Sequence, residues 1–301
     1  MLKHDRRRGI FRAPVCVEGL VTWQMESDLN MTKQPHIPLR TVAFLDIHGF
    51  RAKLYDTPLL ELAKSYERQI LESQFINRPL DPTGKTPTLF IDHPNNVPWC
   101  SQYVFSDSII LISHDEDIMS CLKLLVYAWR LSQKFMAFGM PLRGSVVYGE
   151  MYANPNLNVF LGKALAKAYE LEGSQNWIGV AIDTTVMERF HAFFETIDKK
   201  ENPILNDLLF EYPVPFKDGT TKQLRTLNWR WNLIVEKGTR SLFSNSDDLR
   251  IVEKISNTLK YAEAVVQTGR LYVKDQSNLP AELRSFYIGA KEPPFKHGDN
   301  L

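Results

Sequence analysis

Thr41-Val42-Ala43-Phe44-Leu45-Asp46-Ile47-His48-Gly49-Phe50 is an apolar run that carries a single carboxylate near its end and closes on a glycine. A short apolar run bounded by a turn residue reads as a buried strand. Gln102-Tyr103-Val104-Phe105-Ser106-Asp107-Ser108-Ile109-Ile110-Leu111-Ile112 repeats the pattern, with Asp107 as its carboxylate. A carboxylate is expensive to bury unpaired. Two of them punctuating apolar runs point to a divalent metal or a buried salt bridge. If the strands lie side by side, Asp46 and Asp107 are placed to hold Mg²⁺ or Mn²⁺ against a nucleoside triphosphate.

Composition excludes several classes. The 301 residues are 44% hydrophobic, enough for one large core or one core with an appendage. A formal net charge of +1 gives no reason to expect nucleic-acid binding or attraction to an anionic membrane. The basic cluster Arg6-Arg7-Arg8 has no apolar region behind it, so it reads as a solvated tail rather than a signal sequence. No apolar run approaches the roughly 20 residues that span a bilayer. Cys16, Cys100 and Cys121 are widely spaced and lack a metal-ligand pattern. They suit a reduced, cytoplasmic compartment, where cysteine behaves as a small buried hydrophobe.

Outward from the first strand, residues 1–37 read as an N-terminal arm, with a possible strand or partner contact over Val15 to Trp23. Thr57-Pro58 opens a helix to about Phe75, with Leu59, Leu62, Ala63, Tyr66, Ile70 and Leu71 at helical spacing. Pro79 to Pro98 is loop chemistry around a short Thr88 to Ile91 strand. Tyr103 to Ile112 is either one strand or a hairpin turning at Ser106-Asp107. A long helix, Ile118 to Phe138, is stopped by Gly139 and Pro141. A strand at Leu142 to Tyr148, a turn at Asn154 to Asn158, a helix at Leu161 to Glu172 and a strand at Ile178 to Ile182 follow. Asn228 to Val235 alternates as a strand, and Ser246 to Gly269 as a last amphipathic helix. The order predicts an α+β sandwich, helices over one face of a mostly antiparallel sheet. The predicted organisation is an arm at 1–37, a catalytic domain at 38–240, and a C-terminal helix and tail at 241–301.

Four segments in order resemble the class III nucleotidyl cyclases. Phe44 to Phe50 is similar to that family's strand-and-turn signature. Phe105-Ser106-Asp107 matches its second metal-binding aspartate at a hairpin turn, with Ser106 in place of the usual glycine. Leu142 to Gly149 resembles the following core strand, and Gly162 to Glu172 the helix that closes the catalytic motif. The resemblance covers roughly residues 40 to 182 and implies a class III cyclase-like fold. Departures narrow it. The family's transition-state Asn and Arg fall at Ala166 and Glu170, its purine-selecting lysine at Tyr103, and the lysine's partner carboxylate at about Val159. A pocket without those donors discriminates poorly for adenine. This combination is similar to the bacterial pyrimidine cyclases of the Pycsar anti-phage systems.

The resemblance implies two divalent ions, Mn²⁺ or Mg²⁺, held by Asp46, Asp107 and the Ile47 carbonyl. The amides of His48 to Arg51 would cradle phosphate oxygens. Phe50, Arg51, Tyr103 and Arg143 would contact the nucleotide. Arg143, Lys163 or Lys167, with Lys167 favoured, would supply the cation that the missing Arg normally provides. It further implies a homodimer with the active site at its interface. The substrate would be UTP or CTP, UTP favoured, and the cyclic product would act on a cyclic-nucleotide-responsive effector. The alternatives are a purine cyclase with an unusual pocket and an inert nucleotide-binding module. His48 reads as a variable turn residue, and Leu122, Leu125, Val126, Trp129 and Phe135 as helix packing.

Overall fold

The computed structural model describes residues 10–11, 15–17, 20–22, 25–26, 37–74, 99–137, 139–196, 208–228 and 248–267. The strand expected at Thr88 to Ile91 lies outside the described residues, as does all but Asn228 of the one expected at Asn228 to Val235. The chain forms two units, Met1–Ile37 and Pro38–Leu301. In the first, β1 (Ile10–Phe11) pairs antiparallel with β4 (Met25–Glu26), and β2 (Val15–Val17) with β3 (Leu20–Thr22). Where it is described, the strand expected from Val15 is therefore one of two short ribbons.

The second unit is built on β5 (Leu39–Ile47), β6 (Ser101–Phe105), β7 (Ser108–Ile112), β8 (Leu142–Glu150), β11 (Val180–Ile182), β12 (Leu209–Pro215) and β13 (Thr221–Leu227). They form a seven-stranded sheet in the order β12-β13-β11-β8-β5-β7-β6. Every neighbouring pair is antiparallel except β8 and β11. The fold is thus α+β with a mostly antiparallel sheet. A separate ribbon, β9 (Tyr152–Asn154) with β10 (Val159–Leu161), follows β8.

The helices are α1 (Phe50–Asp56), α2 (Leu59–Gln74), α3 (Ile118–Ala137), α4 (Lys163–Ser174), α5 (Thr184–Arg189), α6 (His191–Thr196) and α7 (Leu249–Gln267). They cover both faces of the sheet, which corrects the one-face expectation. Side chains alternate along a strand. Ala43, Leu45 and Ile47 join Ile109, Leu111, Leu142 and Val146 in a core with α2 and α3. Val42 and Phe44 join Ile112 and Val147 in a second core under Ala164 and Ala168 of α4. A third core, on Ala181, Phe210, Tyr212 and Val214, is closed by Tyr261, Ala262 and Val265 of α7. The reason is in β5 itself: a strand apolar on both faces needs two helical layers.

The elements start and stop on local chemistry. The Asp117 carboxylate accepts from the Ser120 amide at 2.8 Å and opens α3. Gly139, at φ 70°, closes it, with the Met140 amide donating to the Phe135 carbonyl. Gly144 is required by close approach, since a Cβ there would lie 2.5 Å from the Phe44 carbonyl oxygen. The β6–β7 hairpin turns on Ser106-Asp107, and Ser106 sits at φ 55°. That left-handed backbone costs an L-residue roughly 1 kcal/mol and favours glycine. Ser106→Gly is therefore expected to raise the urea midpoint by an amount equivalent to about 1 kcal/mol; an unchanged or lower midpoint would contradict the strain.

Candidate active site

Asp46 is the last residue of β5 on the α4 side of the sheet, in register with Ser108 of β7 and Arg143 of β8. Asp107 comes to it because the β6–β7 hairpin is tied back to β5: the Ile47 amide donates to the Asp107 carbonyl at 2.9 Å. The chain then leaves β5 through Gly49, whose φ of 77° lets it turn at once into α1. Strand pairing thus brings together the residues expected to hold metal: Asp46, Ile47 and Asp107.

The electrostatics are those of a crowded carboxylate site. Burial, with the Glu172 charge, pushes the Asp46 carboxyl up to about 6; Arg143 opposes this and Asp107 adds to it. Burial also raises the Tyr66 phenol, and the Asp107 and Asp46 charges raise it further. The Tyr66 ring is held edge-on between Phe50, 6.0 Å away, and Phe135, 5.4 Å away. Its hydroxyl is buried without a hydrogen-bond partner. An orphaned buried donor is costly unless something else completes it. Hard carboxylate oxygens and a carbonyl suit Mg²⁺ or Mn²⁺. The residues present fit the group. Among the described residues no group of three or more His, Cys, Asp or Glu side chains is placed to hold a metal ion, so the site offers two carboxylates and a carbonyl.

The other expected site residues fall in distinct places. Arg143 is partly buried, in an ion pair with Glu172 of α4, and its Nη2 lies 3.8 Å from Asp46 Oδ2. It balances the carboxylates rather than standing open to a nucleotide. Lys167 Nζ lies 2.8 Å from Asp183 Oδ1, and Asp183 caps α5 through the Thr185 amide. Lys163 pairs with Glu150 at the surface, at 2.8 Å. The His48 amide donates to the Pro141 carbonyl at 2.9 Å, so it is not open to phosphate as the resemblance implied. Burial, with the Lys254 and Arg143 charges, pushes the His48 imidazole down to about 3, which makes it a weak base. Phe50 is half-buried against Tyr66, and Arg51 is exposed on the first turn of α1. Tyr103 packs its ring 4.3 Å from that of Phe160, the residue after Val159.

Two site residues escaped the sequence. Glu172 reads as a surface charge, yet it is 4% exposed and carries the Arg143 ion pair. Lys254 reads as one polar residue of an amphipathic helix. Burial, with Arg143 and Lys217, pushes its amine down to about 8, and the Asp46 and Glu172 charges oppose that fall. Glu172 had a weak signal, its place on the apolar side of α4 with Ala164 and Ala168. Lys254 had none.

No protein-family model matches the chain, and no curated protein matches it. Solved structures similar to it include the catalytic core of a rhodopsin-guanylyl cyclase with converted specificity in complex with ATPαS. That likeness has 11% identity and a TM-score of 0.39, over 64% of this chain and 96% of that one. The adenylyl cyclase CyaB from P. aeruginosa is similar at 12% identity and a TM-score of 0.36, over 64% and 95%. A bacterial light-regulated adenylyl cyclase is similar at 11% identity and a TM-score of 0.37, over 79% and 59%. At TM-scores below 0.5 these are distant likenesses, and the case for function rests on the residues of the chain itself. Among the described residues no helix is long and apolar enough to cross a membrane.

Proposed function

We propose that the second unit is a class III-like nucleotide cyclase that converts a pyrimidine nucleoside triphosphate, UTP in preference to CTP, to its 3′,5′-cyclic monophosphate and pyrophosphate. The observation that carries the reading is the union of Asp46 and Asp107 at one strand end, held by β5–β7 pairing and the Ile47–Asp107 bond. Asp46, Asp107 and the Ile47 carbonyl would hold two divalent ions, which when bound lower the pKa of the ribose 3′-hydroxyl and offset charge on the leaving group. The 3′-oxygen bonds to the α-phosphorus, its proton is lost, and the bond to the β-phosphate oxygen breaks. Asp46 and Asp107 orient the reacting ends in line. Tyr103 and Phe160 offer an aromatic surface without the charged donors that select purines, which supports the pyrimidine assignment.

A homodimer with the site at its interface is supported by apolar residues left exposed on this unit. Phe105 is 82% exposed, Leu157 70%, Leu161 64% and Tyr169 62%. Exposed apolar side chains of this size are what a second copy of the chain would cover. The remaining parts of the proposal are a cytoplasmic setting, an N-terminal arm at 1–37, and a cyclic product that signals to an effector in anti-phage defence.

Replacing Asp46 or Asp107 by Ala and assaying each triphosphate with Mn²⁺ tests the reading; turnover surviving both changes would sink it. Lys167 separates catalysis from structure. It is half-exposed and salt-bridged, so Lys167→Ala is expected to cost less than about 1 kcal/mol of stability. If Lys167 also holds phosphate, the same change lowers kcat/KM by about tenfold or more; unchanged turnover would confine it to capping α5 through Asp183.

A further inference from the structure

We infer that Glu172 is a positioning residue for the metal site: it holds the Arg143 guanidinium away from Asp46 and so keeps that carboxylate open to a divalent ion. The role presupposes the cyclase reading of the Asp46–Asp107 site and deepens it.

Asp46 and Arg143 stand directly opposite each other on the antiparallel strands β5 and β8. Side chains so placed are neighbours, and opposite charges there attract. A guanidinium left free beside a carboxylate closes to about 2.7–2.9 Å, often through two parallel N–H donors. Arg143 does not: its Nη2 stops 3.8 Å from Asp46 Oδ2, while its Nε meets Glu172 Oε1 in direct contact. Arg143 takes its partner from the helix above rather than from the strand beside it.

Register makes that choice. Ala164, Ala168 and Glu172 are the buried residues of α4, four apart on one face. Ser145 Oγ of β8 donates to the Ala168 carbonyl at 2.6 Å. Four residues of helix advance about 6 Å, and two residues of strand about 6.6 Å. One step from that bond towards the Asp46 end therefore sets Glu172 over Arg143. Beyond it, Gln175 Nε2 donates to the Gly144 carbonyl at 3.0 Å and ties the end of α4 to the same strand. Glu172 is held between these two tethers and is 4% exposed.

Stability alone does not call for a carboxylate at this place. Its burial is costly, and an apolar side chain would extend the Ala164–Ala168 stripe. A buried ion pair is seldom more stable than apolar side chains of the same size. What the pair provides is a free acceptor. Each guanidinium donor on Asp46 would occupy an oxygen lone pair that a hard cation uses. With Glu172 in place, Arg143 neutralises the helix carboxylate and leaves the Asp46 oxygens available. Without it, the guanidinium closes on Asp46, and an ion has to displace it.

The test uses the full chain and Mn²⁺ alone, with unbound Mn²⁺ read by electron paramagnetic resonance and thermal melting followed in parallel. Wild type is expected to bind, and Glu172→Gln to bind at least about tenfold more weakly, the scale on which residues behind a metal ligand act. The double variant Arg143→Met with Glu172→Leu is expected to bind as tightly as wild type, because no guanidinium remains to close on Asp46. A Glu172→Gln protein that melts lower yet binds Mn²⁺ as wild type does overturns the inference in favour of a merely structural ion pair. A double variant as weak as Glu172→Gln overturns it too, since the loss then does not run through Arg143. Both results leave the cyclase reading standing. Failure of wild type itself to bind Mn²⁺ overturns that reading along with the inference.

Discussion

Asp46→Asn is expected to lower turnover by at least about 1000-fold while leaving the fold as stable as before, or more so. The loss follows from removing one of the carboxylates proposed to hold the ions; several kcal/mol of transition-state stabilisation, at about 1.4 kcal/mol per tenfold, gives that scale. The stability follows from the site's own electrostatics. The Asp46 carboxyl titrates near 6 in the fold against an ordinary value of 3.8, chiefly because it is buried. Its ionised form is therefore disfavoured on folding. The penalty is absent below the unfolded value, grows as pH rises towards 6, and is complete above it. Asparagine removes it, so the variant is expected to melt higher than wild type at pH 8 and at the same temperature near pH 3. Mn²⁺ is expected to raise the wild-type melting temperature at pH 8 and to leave the variant unmoved. A variant that melts well below wild type at pH 8 would mean that Asp46 is a structural ion-pair partner instead.

Arg143→Met is expected to be the most destabilising single change at the site, by about 3–5 kcal/mol. Arg143 is the partly buried cation between Asp46 and the buried Glu172, and breaking such a pair from one side strands the other charge. Here two carboxylates are stranded together. Adding Glu172→Leu to the same chain is expected to recover more than half of the loss, because a buried apolar pair costs less than a buried lone charge. Urea unfolding of the two single variants and the double variant gives the coupling directly. Additive losses would show that Arg143 and Glu172 do not depend on each other.

Much of this was legible in the sequence because it is local. Asp46 could be placed at a strand end from the apolar run before it and the glycine after it. The hairpin at Ser106-Asp107 was one of two readings, and β5–β7 pairing is what the two-carboxylate idea required. The ends of α3 could be read from Asp117 and Gly139. What the sequence hid is long-range. Nothing near Arg143 announces that Glu172 will reach it from the next helix. Lys254 shows its neighbours only after α7 docks through Thr258 and Asn257. The second helical layer was implied by β5 being apolar on both faces, but alternation in the later strands was too short to reveal it. The β12–β13 hairpin at the far edge was likewise unread.

The most direct measurement is incubation of the purified chain with Mn²⁺ and each of the four ribonucleoside triphosphates, with mass analysis of the products. A cyclic pyrimidine monophosphate, cyclic UMP before cyclic CMP, together with pyrophosphate, is expected from wild type and none from Asp46→Asn. Equal cyclic product from both proteins, or no cyclic product from any nucleotide, would contradict it.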